Sequence, residues 1–440
     1  MSEVLSFLSR QGQRWIGRSP DLLRLIGLRQ SPTRKPPFEA LASALLSRRG
    51  EASGIAIARE LLALYEACDD AERLAFFNML ADRFDPDPAA LEQAWQAYHQ
   101  EGRAKLPALA AAVESPRQEL FRRLNLPPGG TVALVRMRAD LIRHLKAANG
   151  ALDGVDSDLA HLLQSWFNRG FLQMQRIDWR SPALLLERVI QYEAVHLIRD
   201  WSDLRNRLDP EDRRCFAFFH PVMPDEPLIF VEVALTCGIP GNIQQVLASD
   251  RPMLAAQDAD TAVFYSISNC QAGLKGISFG HFLIKQVAED LKRALPGLKR
   301  FVTLSPVPGF MSWLNRSGDD RLELIAASDW HLAPVASQTR AWLLNRAAAY
   351  LAELRDASGR PLDPVARFHL GNGARLEAIH WLADASPSGM RQSAGMMVNY
   401  LYDLPSIEQN HELYAEQHKV VTGAPFRRTA SEVGLSLPAN

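Results

Sequence analysis

Near residue 168 the hydrophobic pattern of this chain switches period, and no single layer of secondary structure accommodates both halves. Before the switch, Ile57, Leu61, Leu64 and Cys68 step by four, three and four residues and so share one helical face. Such a face needs partner helices to cover it. Asp87-Pro88 and Ser115-Pro116 each put a capping side chain ahead of a proline at the first helical position, and Gln118 completes a Ser-x-x-Gln capping box. Asp85-Pro86 and Pro127-Pro128-Gly129-Gly130 punctuate the segments, and Met137 to Phe167 reads as a further helical stretch. Residues 1–168 are therefore predicted to form an antiparallel helical bundle. After the switch, Cys215–Phe219, Leu228–Thr236, Thr261–Ser268 and Phe301–Leu304 are short, aromatic and β-branched, and read as strands. Between the last two, Phe282, Ile284, Val287 and Leu291 predict a helix over Gly280–Leu295. The order strand, glycine loop, helix, strand predicts an α/β unit over residues 169–440, with the boundary at Asn168-Arg169-Gly170.

Composition narrows the function classes. At 440 residues the chain exceeds what one core usually serves, and 47% hydrophobic with 22% charged residues excludes a disordered or fibrous chain. With 49 basic against 50 acidic side chains the net charge is −1, so no global field favours nucleic acid. Cys68, Cys215, Cys237 and Cys270 have no CxxC spacing, which argues for reduced thiols in a cytoplasmic compartment rather than for a zinc ribbon or a disulfide framework. The longest apolar stretch, Leu228 to Cys237, is interrupted by Glu232, so no membrane span is predicted. Glu232 itself reads as an edge-strand or paired carboxylate, with a buried functional role as the alternative. Arg10, Arg14, Arg18, Arg24 and Arg29 among Leu5, Leu8, Trp15 and Leu22 suit an amphipathic surface helix or a transit peptide.

Three segments carry candidate chemistry. Gln271 to Gly280 sets glycines at 273, 276 and 280 between a strand and a helix start, where backbone N–H groups and the helix dipole can hold a phosphate; a plain flexible connector explains the same residues. Ser305, in Leu-Ser-Pro-Val-Pro-Gly-Phe, sits at a strand's carboxyl end, where α/β sheets place ligands, although serine before proline also simply forms turns. His369 precedes Gly371-Asn372-Gly373 at the end of a helix opened by Asp363-Pro364, a position expected to expose an imidazole suited to proton transfer; a structural histidine is the plain alternative. His411-Glu412 lacks the second histidine of an HExxH site, so no metal is predicted.

Taken together and in order, HPVMPDEPLIFVEVALT, FYSIS, QAGLKGISFGHFLIK, LSPVPGF, DPVARFHLGNGA and SAGMMVNYLY resemble the malonyl-CoA decarboxylase family over about residues 130–405. The resemblance implies a helical N-terminal domain followed by a catalytic domain of the GCN5-related N-acetyltransferase type with a mixed β-sheet. It implies a malonyl-CoA loop at Lys275, Gly276, Ile277, Ser278, Phe279, Gly280 and His281, and Tyr402 near the thioester. Ser305 matches the family's catalytic serine, a proton acceptor, and His369 its catalytic histidine, a proton donor. Ser278 stands where animal members carry an acidic residue. The implied reaction turns malonyl-CoA into acetyl-CoA and CO2 through a thioester enolate protonated at C2. It needs no cofactor, because the thioester itself is the electron sink. A homotetramer assembled through the helical domain is implied as well. The competing readings are an N-acyltransferase on the same fold, which would need an amine groove, and a CoA-sensing scaffold, which would turn nothing over.

Overall fold

A computed structural model of the chain describes residues 38–47, 50–277, 283–326, 329–332 and 335–438. The arginine-rich segment before residue 30 and loop residues 278–282 lie outside the described residues. The chain forms two compact units, one of residues 1–167 with 271–277 and one of residues 168–270 with 278–440.

The first unit is a helical bundle. Its described helices are α1 (Phe38–Leu46), α2 (Glu51–Glu66), α3 (Asp70–Arg83), α4 (Pro88–Glu101), α5 (Leu106–Val113), α6 (Pro116–Leu124), α7 (Gly130–Leu145) and α8 (Asp153–Trp166). The predicted face of α2 forms, with Ile57, Leu61 and Tyr65 buried, while Leu64 is left partly exposed. Phe76, Phe77 and Leu80 of α3, Leu120 and Phe121 of α6 and Leu134 and Leu141 of α7 supply facing apolar surface. Asp87 caps α4 as predicted, accepting from the Ala89 N–H at 3.0 Å. The capping box at Ser115 does not form. Asp158 takes both of its polar groups, from the Ser115 hydroxyl at 2.6 Å and the Gln118 amide at 2.7 Å, because that partly buried carboxylate, which also pairs with Arg117, accepts more strongly than the backbone does.

The second unit carries an eight-stranded mixed sheet: β1 (Gln173–Ile177), β2 (Arg213–Phe219), β3 (Ile229–Thr236), β4 (Thr261–Asn269), β5 (Arg300–Thr303), β6 (Ser305–Pro306), β7 (Arg375–His380) and β8 (Met397–Leu401). The four predicted strands are β2 to β5, each displaced by at most two residues at an end. Strands β1 to β4 pair antiparallel in succession, β4 and β5 are parallel, and β8 lies antiparallel to β5, β6 and β7. Strand β3 is central and buried on both faces, which explains its continuous apolar run. Glu232 on it is therefore no edge residue; it is fully buried and paired with Arg207 at 3.2 Å.

The helices of this unit are α9 (Ala183–Tyr192), α10 (Trp201–Leu208), α11 (Ile243–Leu247), α12 (Leu283–Ala294), α13 (Phe310–Arg316), α14 (Val335–Ala352), α15 (Pro364–Gly371), α16 (Pro387–Ser393), α17 (Ile407–Gln417) and α18 (Ala424–Glu432). Leu186 and Val189 of α9 and Leu204 and Leu208 of α10 pack with Cys215, Ala217 and Phe230 of the sheet. The predicted helix between β4 and β5 is α12, with Ile284, Val287 and Leu291 buried. Two irregularities shape the middle of the sheet. A bulge at Glu232/Val233 leaves Tyr265 of β4 without an opposite residue. The parallel pairing of β4 with β5 also stops at Phe264 and Thr303, after which β4 continues along β3 while Ser305 pairs with β8, so the two strands part.

Candidate active site

Lys275, Gly276 and Ile277 belong by their contacts to the helical unit. Arg138 of α7, held by Asp156 at 2.8 Å, donates from one nitrogen to the carbonyls of Gly273 at 2.8 Å and Lys275 at 2.9 Å. Gly273 packs so tightly on the Val135 carbonyl that a Cβ there would lie 1.8 Å from it, a close approach only glycine allows. Gly276 takes a positive φ of 82° and is exposed with Lys275, while Ile277 is buried. The amides of Lys275 and Ile277 already serve carbonyls within the loop, at 3.1 and 3.0 Å. Ser278, Phe279, Gly280 and His281 are outside the described residues.

Ser305, His369 and Tyr402 come together within the second unit. Ser305 Oγ lies 3.1 Å from Nε2 of His369, and Nδ1 of the same ring lies 2.7 Å from the Tyr402 hydroxyl. The local sequence explains each placement. Pro306 cannot donate a ladder hydrogen bond and helps confine β6 to two residues, with the serine as its first. Asp363 caps α15 through Val365 and Ala366, both at 2.9 Å, and the helix delivers His369 from its last turn. Tyr400 and Tyr402 stand next but one along the chain at the end of β8, so both sides of the imidazole meet an aromatic ring. Tyr400 stacks on it with centroids 4.6 Å apart, and Tyr402 meets it edge-on at 6.0 Å.

His369 is consequently 3% exposed, not presented to solvent as its position beside a glycine pair suggested. The enclosing rings come from a strand distant in sequence, which overrides the local expectation. Burial holds the imidazole pKa down to about 3, so the ring is neutral near pH 7. Burial also raises the Tyr402 phenol well above its ordinary value and keeps it protonated.

The directions of the hydrogen bonds follow from counting protons. Ser305 donates its only proton to Thr303 Oγ1 at 2.9 Å, so toward His369 its oxygen accepts. The ring proton therefore sits on Nε2, and Nδ1, left with a lone pair, accepts from the Tyr402 hydroxyl. The result is one directed, uncharged chain from Tyr402 through His369 and Ser305 to Thr303. Thr303 is fixed in turn: its Oγ1 accepts the Tyr400 N–H at 3.1 Å and its carbonyl accepts the Asn399 amide at 2.7 Å.

Known proteins resemble this chain over most of its length. Residues 170–436, more than half of the chain, match the family model of the malonyl-CoA decarboxylase C-terminal domain, and residues 84–167 match that of the N-terminal domain. The chain belongs to the malonyl-CoA decarboxylase family. Among solved structures, the malonyl-CoA decarboxylase of Rhodopseudomonas palustris is 52% identical with a TM-score of 0.86, covering 90% of this chain and 100% of that one. The enzyme of Agrobacterium vitis is 51% identical with a TM-score of 0.84 and the same coverage. The mitochondrial malonyl-CoA decarboxylase of the goose Anser anser anser is 37% identical over 339 residues, 68% of this chain and 66% of that protein, so the match spans about two thirds of its length.

In this member of the malonyl-CoA decarboxylase family, sequence reasoning missed Thr303, Tyr400 and Asn399. Thr303 could have been found, since it stands only two residues before Ser305 at the end of the preceding strand. Tyr400 and Asn399 carry no local signal, because their contacts are made across the sheet.

Proposed function

We propose that this protein decarboxylates malonyl-CoA to acetyl-CoA and CO2, and that the hydrogen-bonded pair Ser305–His369, 3.1 Å apart and buried, runs the reaction. That pair, in a chain of the malonyl-CoA decarboxylase family, is the observation that supports the reading. The C–C bond to the carboxylate breaks, CO2 leaves, and the electron pair spreads from C2 into the thioester carbonyl as an enolate. One proton must then reach C2. In the proposed mechanism His369 Nε2–H supplies it, and the Tyr402 hydroxyl at Nδ1 offsets the charge that develops on the ring; solvent restores the proton consumed. Ser305, accepting from Nε2–H and anchored on Thr303, fixes the orientation of the ring for that transfer. The neutral histidine suits this step, since a permanently cationic ring would attract the departing carboxylate and favour the ground state.

In this reading Lys275, Gly276 and Ile277, with Ser278 to His281 following, hold the CoA end. The positive φ of Gly276 allows the backbone to approach a phosphate. The protein works as a homo-oligomer, a tetramer by family resemblance. The hairpin of α4 and α5 has no buried residue and exposes Trp95, Leu106 and Val113, an apolar face suited to a second copy of this chain. The four cysteines are free thiols, in keeping with a cytoplasmic setting, and no helix among the described residues is long and apolar enough to cross a membrane. Incubating the purified protein with malonyl-CoA and following acetyl-CoA and CO2 tests the function. Stoichiometric formation of both is expected; consumption only in the presence of an amine acceptor, or no consumption, would overturn it.

A further inference from the structure

We infer that Asp363 is a positioning residue that ties the loop following Ser305 to the helix carrying His369, so that one buried carboxylate sets the register of both. The inference rests on the Ser305–His369 reading above.

Asp363 is fully buried, and its two oxygens do different things. Oδ1 accepts the N–H groups of Val365 and Ala366, both at 2.9 Å, and starts α15. Capping needs no more than that, and serine or asparagine does it equally well. Oδ2 has no hydrogen-bond partner among the described residues and faces the loop after Ser305, lying 3.8 Å from where a Cβ on Gly309 would stand. The Gly309 N–H attracts this carboxylate without completing a hydrogen bond. The Tyr350 hydroxyl of α14 crowds the same side of Gly309 and leaves no room there for a Cβ. Leaving a buried carboxylate oxygen unsatisfied is destabilising and serves nothing in a simple cap.

The surroundings connect the same carboxylate to the imidazole. The groups that act on it are Arg367 of its own helix, Tyr350 of α14 and Tyr400 of β8, with Arg316 of α13 acting in turn on Tyr350. Tyr400 is the ring stacked on His369, and its hydroxyl also has no hydrogen-bond partner among the described residues. Burial, opposed by the N–H groups of Ala366, Val365 and Gly309, pushes the Asp363 pKa up to about 6. The ionised form is the one that attracts Gly309, so the tie weakens as pH falls through that value.

Asp363→Asn tests this directly, because an asparagine keeps the cap through Oδ1 and turns an amide N–H toward the Gly309 N–H. The expected result is a fall in kcat of about tenfold or more, with KM for malonyl-CoA within about twofold and the thermal midpoint nearly unchanged. The wild-type loss of kcat on acidification near pH 6 should be absent from the variant. Asp363→Ser, which keeps a capping oxygen and removes Oδ2, should reproduce both effects and serves if the asparagine protein does not fold. Wild-type kcat and pH profile in a folded variant would overturn the inference, as would a loss of activity that merely follows the folded fraction. His369→Asn measured alongside separates the two levels: if it too retains turnover, the underlying site reading fails; if it alone loses turnover, only the role of Asp363 falls.

Discussion

Glu232 and His369 are both sealed inside the second unit, yet their surroundings treat charge in opposite ways. Glu232, on the central strand β3, faces Arg207 of α10 at 3.2 Å, and that guanidinium is itself held by Asp203 at 3.4 Å. Burial, reinforced by the nearby Glu193, still pushes the Glu232 carboxyl up to about 8. His369 has no charged hydrogen-bond partner; Ser305 and Tyr402 occupy its two nitrogens. The first region surrounds a guanidinium with carboxyl groups and holds the sheet to a helix. The second removes charge and aligns neutral donors in one direction, which a proton-delivering site needs and a structural ion pair does not.

Breaking the neutral chain should be the larger functional effect. Ser305→Ala is expected to lower kcat by about 10²–10⁴-fold with a much smaller change in malonyl-CoA affinity, and the double variant with His369→Asn should lose far less than the product of the two. Multiplicative losses in steady-state kinetics would show that the two side chains act separately. Breaking the charged region should leave chemistry intact and cost stability instead. Arg207→Met removes the donor to a buried carboxyl that is then held neutral, and is expected to destabilise the fold by about 1–3 kcal/mol in denaturant titration, with kcat per folded molecule unchanged. Reduced turnover in the fully folded variant would tie the ion pair to the reaction.

Tyr402→Phe sharpens the contrast within the neutral chain. It leaves Nδ1 without its donor, an unsatisfied buried acceptor costing about 1–3 kcal/mol, which corresponds to roughly 5- to 160-fold in kcat if the hydroxyl acts in the transition state. An unaffected rate would remove Tyr402 from the chain. The last prediction concerns the pH dependence of stability at Glu232. Its folded pKa of about 8 lies above the ordinary 4.5, so its proton stabilises the fold below the ordinary value and that contribution is lost as pH rises through the folded one. Wild-type stability should therefore decline relative to Glu232→Gln between about pH 5 and about pH 9. A constant difference across that window would mean Glu232 stays charged throughout.

Much of this was legible in the sequence wherever the signal is local. The runs around Phe216, Val231, Phe264 and Val302 read as strands because aromatic and β-branched side chains suit a pleated, buried surface. Asp87 announced its helix because a cap and a proline sit side by side. The failures are all long-range. Ser115 looked like a capping box until Asp158, on another helix, captured its hydroxyl and the Gln118 amide. The glycine loop read as part of the second unit, and only the geometry reveals Arg138 of the helical unit gripping its carbonyls. His369 looked exposed because nothing near residue 369 says that Tyr400 and Tyr402 will close over it. Ser305 and His369 became recognisable as a pair through the family motifs, not through spacing, since the contact joins residues far apart in the chain.

The claim that a single neutral imidazole drives decarboxylation is tested most directly by the steady-state kcat of purified His369→Asn on malonyl-CoA, beside the wild-type protein and with folding checked by circular dichroism. A folded variant whose kcat falls by about 10²–10⁴-fold while KM changes far less is the predicted result. A folded variant that releases acetyl-CoA and CO2 at close to the wild-type rate would contradict it.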